Sequence, residues 1–259
     1  MRTALALLAV TLAAVAQPKL LINAQLDVHP ADAGLEREFR ALLATEPQPA
    51  WIAYSVPFNR SFNLGCEYVS PEGRSVPGVV HLEPPAEAML LFRVVEGAVD
   101  RIRALSPDCE IDAGGVPFHW LTGVKPAQSV ALLESISRRE TLRAIALHAD
   151  ASADLALERL TGPGQLDPVR RQAAFWIGAA RGRRGLDTLK RLLATETDSR
   201  VRERAVAGLA ASHEPGALDL LISVARDDRD LRVRRQAMSA IGHSGDPRAQ
   251  AFLEDVLKR

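Results

Sequence analysis

The second half of the chain repeats one arrangement of apolar and polar positions. Ile145, Ile177, Leu209 and Ile241 stand 32 residues apart, and so do Leu157, Leu189, Leu221 and Leu253. Leu160, Leu192, Val224 and Val256 form another column, and Thr141, Ala173, Ala205 and Ala237 keep a small residue at a further one. A fixed period of this size over an apolar skeleton marks a solenoid of stacked units. Inside a unit the period is helical. Val201, Ala205 and Leu209 fall on one face, Ser212 to Gly216 breaks the helix, and Leu218, Leu221 and Val224 stripe a second helix. Asp198 and Asp230 are expected N-caps. Asp167-Pro168 reads as an N-cap followed by proline at the first helical position. One such hairpin cannot bury its own apolar face, so the four units must stack, and the small column lets paired helices come close.

The first half has a different texture. Ile22, Ala24, Leu26 and Val28 alternate with polar residues, which predicts a strand. Leu35, Phe39, Leu42 and Leu43 predict a helix with Asp32 as its N-cap. Trp51 to Val56 reads as a strand stopped by Pro57, and Val79 to Leu82 as a short one. Ala88 to Val95 and Ala98 to Leu105, joined by Glu96-Gly97, read as a hairpin. Lys125-Pro126 opens a helix carrying Val130, Leu133 and Ile136. The predicted fold class is therefore α+β: a small mixed α+β domain over 17–125, then an all-α solenoid of about four helical hairpins over 126–259.

Residues 1–16 are set apart as a signal peptide. Arg2 supplies the positive end, Leu5 to Ala13 the apolar stretch, and Ala14-Val15-Ala16 a cleavage site that leaves Gln17 first. Export puts the two cysteines, Cys66 and Cys109, in an oxidising compartment, where a disulfide is expected and two buried thiols are the alternative. The 259 residues carry 32 Lys+Arg against 32 Asp+Glu. That balance argues against a dedicated nucleic-acid binder, which has a basic footprint. No later apolar run reaches the length of a membrane span, so no integral segment is expected in the mature chain.

DPVRRQAAFWIG, DSRVRERAVAGL and DLRVRRQAMSAI resemble HEAT repeats, of the short type also found in phycobilin lyases, over roughly residues 137–259. PAWIAYSVP followed by DCEIDAGGVPFHWLTGVKPAQSVALL resembles a set of exported bacterial HEAT-repeat proteins of unknown function. The scaffold hosts many activities, so the resemblance implies a fold more than a chemistry. Deoxyhypusine hydroxylase, another protein on this scaffold, holds iron through His-Glu dipeptides early in several repeats. The matching positions here are Arg139-Glu140, Arg171-Gln172, Glu203-Arg204 and Arg235-Gln236, and guanidinium groups do not ligate iron.

No phosphate-binding loop, nucleophile elbow or metalloprotease motif occurs. No catalytic residue, metal ligand or cofactor is assigned. His148, His213 and His243 lie near the breaks between paired helices but share no column. Arg138, Arg170, Arg202 and Arg234 recur at the 32-residue period. With Asp198 and Asp230 they are expected to form a structural ladder of caps and ion pairs, the alternative being a ligand-binding arginine row. Arg181, Arg183 and Arg184 form the densest basic cluster and, with Trp120 beside His119, are the candidate partner contacts. The bland alternatives are a solvated loop and a core tryptophan. The expected function is a non-catalytic scaffold that binds another envelope protein through the solenoid. The alternatives are an enzyme or chromophore-handling protein by analogy with phycobilin lyases, or an activity carried by the α+β domain.

Overall fold

The computed structural model describes residues 21–45, 49–60, 64–66, 85–136 and 140–258. The predicted strand at Val79 to Leu82, the cleavage site at Ala16 and Gln17, and Arg138 lie outside them. Strands β1 (Leu21–Ile22) and β2 (Gln25–Pro30) precede helix α1 (Leu35–Thr45). Then come β3 (Ala50–Pro57), β4 (Glu87–Val95), β5 (Ala98–Leu105), β6 (Ile111–Asp112) and β7 (Pro117–Thr122). The five-stranded sheet has the order β2-β7-β3-β4-β5. β7 runs parallel to both β2 and β3, while β3, β4 and β5 are antiparallel.

The hairpin forms as predicted. Its turn residues Glu96 and Gly97 have φ of 51° and 72°, the pair of positive values that a two-residue turn needs to match strand twist. Three expectations need correction. The strand at 22–28 breaks at Asn23, whose φ of 49° ends β1; asparagine tolerates this conformation. α1 begins at Leu35 after Gly34, so Asp32 does not border it. β7 was not expected, because Phe118, His119, Trp120 and Leu121 are all buried and its pattern does not alternate. A strand flanked by partners and covered on both faces has no polar side to betray its period.

α1 turns Leu35, Phe39 and Leu42 onto one face of the sheet, where Phe39 meets Phe92 edge-on at 5.0 Å. The other face buries Met89, Leu91, Phe118 and Trp120 beneath Cys109, Ile111 and Ala113. Cys66 and Cys109 form a disulfide.

Helix α2 (Pro126–Ser135) leads into four hairpins: α3 (Thr141–Ala146) with α4 (Ala151–Leu160), α5 (Asp167–Ala180) with α6 (Gly182–Thr195), α7 (Ser199–Ala210) with α8 (Ala217–Asp227), and α9 (Leu231–Gly242) with α10 (Pro247–Leu257). Asp150, Asp198, Asp230 and Asp246 cap their helices, each accepting a backbone N–H two residues on at 2.8 Å. Asp167 does not cap. It is the first residue of α5, whose N-cap is Leu166, so its charge acts on the helix dipole instead. α5 and α7 cross at Gly178 and Gly208, where a Cβ on Gly208 would lie 2.6 Å from the Phe175 carbonyl oxygen.

One continuous apolar core runs from α1 and the inner sheet face through α2 and α3 to the last hairpin. The two halves also share backbone hydrogen bonds. Asn59 donates to the Leu147 carbonyl at 2.7 Å, and Ala149 to that of Pro57 at 3.0 Å. The end of β3 is thus built into the first repeat.

Candidate partner-binding surface

Arg170 and Arg202 form a ladder, but not with the expected acids. Arg170 pairs with Glu196 at 2.6 Å and Arg202 with Asp228 at 3.2 Å, all four side chains being under one-tenth exposed. Glu196 and Asp228 stand two residues before the caps, and each also accepts the backbone N–H of Asp198 or Asp230 at 2.8 Å. Each buried arginine therefore reaches the loop that starts the next unit. Asp198 and Asp230 are capping residues and not i,i+4 partners, because their carboxylates point to their own helix N-termini. Arg234 donates to the Asp228 carbonyl at 2.7 Å. The acidic column recurs at the same period as the arginines and was readable from the sequence.

The basic cluster is divided. Arg181 is turned inward, with its side chain 7% exposed. It pairs with Asp154 at 2.6 Å and donates to the carbonyls of Ala146, His148 and Asp150. It thereby caps α3 and ties the first hairpin to the second, which removes it from the set of partner contacts. Arg184 sits 3.3 Å from Asp154 and is half-exposed, and Arg183 is exposed. Trp120 is 1% exposed, inside the core of the outer sheet face. Burial between β2 and β3 withdraws it from any partner.

The three turn histidines do not converge. His213 and His243 are exposed. His148 is wholly buried at the seam between the halves. Its Nδ1–H donates to the Ala144 carbonyl at 2.8 Å, so its Nε2 accepts from Ser129 Oγ at 2.8 Å, and Ser129 Oγ accepts from the Tyr54 hydroxyl at 2.8 Å. Burial pushes the Tyr54 phenol above its ordinary range and drives His148 down to about 4. This serine–histidine pair has no exposed atom for a substrate to reach, and acts as a neutral cross-link. Its consequence is pH dependence. The folded-state value lies below the ordinary 6.5, so between these values the unfolded chain takes up a proton that the folded one refuses. Stability is thus complete above pH 6.5 and falls as pH drops, by about 3 kcal/mol at pH 4. Urea unfolding of His148→Gln, compared with the parent at several pH values, is expected to show a correspondingly flatter slope in that window.

A groove of about 730 Å³ opens at the start of the solenoid. Leu133 of α2, Ile145 of α3, Leu160 of α4 and Val169 of α5 make its apolar floor. Leu166, 76% exposed, stands on its rim. Arg171 and Arg204 line one side. Arg204 lies 4.8 Å over the Phe175 ring and donates to Gln172 Oε1 at 3.0 Å. Glu134, also in the lining, is held by Arg159 at 2.8 Å. Among the described residues neither Arg171 nor Arg204 has a carboxylate partner, so the groove presents an apolar floor beside two unneutralised guanidinium groups.

This part of the chain carries HEAT repeats: the family model of that description matches residues 153–237 and 196–259. Such repeats form scaffolds for protein interaction. No curated protein matches the chain. Among the described residues no helix is long and apolar enough to cross a membrane.

Proposed function

We propose that the protein is a non-catalytic scaffold, exported to the bacterial cell envelope after cleavage between Ala16 and Gln17, which binds another envelope protein through its solenoid. The groove between α2 and α5 carries this reading. Its floor suits an apolar side chain, and Arg171 and Arg204 suit a flanking carboxylate of the partner. Arg183 and Arg184, on the first turn of α6, extend the basic character of the same solenoid. The groove volume also falls in the range of small-molecule sites. That observation favours a second reading, ligand handling of the phycobilin-lyase kind.

The test is crosslinking capture by the full mature chain from an envelope extract, with Leu166→Glu/Arg171→Glu compared with Arg183→Ala/Arg184→Ala. All four positions are exposed or half-exposed, so the fold is retained. Capture of a discrete protein is expected from the parent and from the loop variant, and is expected to fall at least about tenfold in the groove variant. Equal capture by the groove variant would remove the groove from the interface. An absorbing small molecule that copurifies with the parent, and not with the groove variant, would support the second reading instead.

A further inference from the structure

The strand pattern of Gln25–Pro30 puts Asp27 and His29 on one face of β2. β7 lies beside β2 in parallel, with His119 in register with Asp27. Two positions on an edge strand and one on its neighbour thus bring three lone-pair donors together. His29 Nε2 lies 3.0 Å from Asp27 Oδ2 and 3.1 Å from His119 Nδ1. All three ligand atoms lie within 4.8 Å of one another, and among the described residues no other group of three or more does so.

The separations of 3.0 and 3.1 Å about His29 Nε2 are close to those between neighbouring ligands of a metal ion. Bonds of about 2.0–2.1 Å in a tetrahedral site place neighbouring ligand atoms about 3.3 Å apart. The electrostatics agree. Glu38, on the first turn of α1, puts Oε1 3.3 Å from His29 Nδ1. Glu38 therefore accepts the Nδ1 proton and turns the Nε2 lone pair toward Asp27 and His119. Two imidazoles and a carboxylate facing one another at these distances share either a proton or a metal ion. A carboxylate on the far nitrogen of a ligating histidine is also the usual outer partner in zinc sites. The exposures are graded for such a role. His119 is buried, the His29 side chain is 22% exposed and Asp27 is 66% exposed, so the centre is anchored in the sheet and open on one side.

We propose that Asp27 Oδ2, His29 Nε2 and His119 Nδ1 bind one divalent transition-metal ion of the zinc class, with Glu38 orienting His29 and a fourth position open to water or an anionic ligand. The donor set is that of an open site; structural zinc sites are closed by four protein ligands. The site lies on the α+β half, away from the solenoid groove, and does not depend on the groove's role.

The test uses untagged, chelator-treated full mature chain titrated with Zn²⁺ by calorimetry and with Co²⁺ by visible absorption. The parent is expected to bind one equivalent of each, with the d–d bands of a four-coordinate cobalt centre. His29→Ala and Asp27→Ala/His29→Ala are expected to lose more than about 100-fold in affinity, and Glu38→Gln about 10–100-fold. His213→Ala/His243→Ala is expected to bind like the parent. Asp27 and His29 sit on the sheet edge, so their replacement leaves the melting temperature of the metal-free chain unchanged, and Zn²⁺ is expected to raise that temperature only where the site is intact. Absence of stoichiometric binding by the parent overturns the proposal. So does parental affinity in the double variant, or loss of binding in the His213/His243 control.

Discussion

Arg202→Ala is expected to lower the unfolding free energy by about 3–5 kcal/mol, which for a chain of this size moves the melting temperature by on the order of 10 °C. The reason lies in what the substitution leaves behind. Arg202 and Asp228 have side chains 3% and 7% exposed, with N and O 3.2 Å apart. Without the guanidinium, Asp228 keeps only the N–H of Asp230 for a buried charge, while the Glu196 carbonyl gives up a 3.3 Å contact and keeps Arg229 as its donor at 2.7 Å. A buried pair adds little over an apolar pair of the same volume, so the cost is one of orphaning and not of lost attraction. That distinction is measurable. Arg202→Met/Asp228→Asn keeps an acceptor for the Asp230 N–H and removes the charge, so it is expected to recover most of the loss. Arg234→Ala, one unit further along, is expected to cost under about 1 kcal/mol, because Arg234 is half-buried and makes a hydrogen bond to a carbonyl at 2.7 Å. Thermal melts of the parent and the three variants check this order. Equal effects of Arg202→Ala and Arg234→Ala would show that burial does not set the hierarchy.

The same arginines mark what was legible in the sequence and what was not. Their period, the helix stripes and the caps at Asp198 and Asp230 are local regularities, and local regularities survive into the fold. Arg170 and Arg202 look like Arg234 in sequence, yet only tertiary packing decides that two are sealed while the third is half-buried. The hairpin over 87–105 was legible because two strand-forming runs flank a two-residue turn, Glu96-Gly97, that takes positive φ. β7 was not, since burial on both faces erases the alternation. The metal-type cluster was hidden for the same reason. Asp27 and His29 have the right spacing on an edge strand, but their third member sits on the strand that could not be read. Arg181 shows the opposite failure. A run of cations in a turn suggested solvent, whereas the C-terminal carbonyls of α3 and the carboxylate of Asp154 draw one of the three inward. Grouping by sequence cannot separate Arg181 from Arg183.

Removal of the Cys66–Cys109 bridge is expected to cost about 4 kcal/mol, from the loop entropy released to the unfolded chain by a crosslink of sequence separation 43. The effect should be local before it is global. Cys109 is 1% exposed and lies with Ile111 and Ala113 over Phe118, Trp120 and Met89. It fastens the connection between β5 and β7 onto the outer sheet face, and this small core is separate from the one that runs through α1 and the solenoid. Loosening that cover wets Trp120 while the helical hairpins, whose seams are apolar and whose ladder is ionic, stay stacked. Cys66→Ala/Cys109→Ala is therefore expected to show red-shifted tryptophan emission with an unchanged helical circular dichroism signal, and a lower unfolding midpoint in urea. Dithiothreitol should produce the same shift in the parent and none in the variant. If both signals were lost together at one denaturant concentration in the parent and the variant alike, the outer core would be part of the single cooperative unit and the bridge would act only through the unfolded chain.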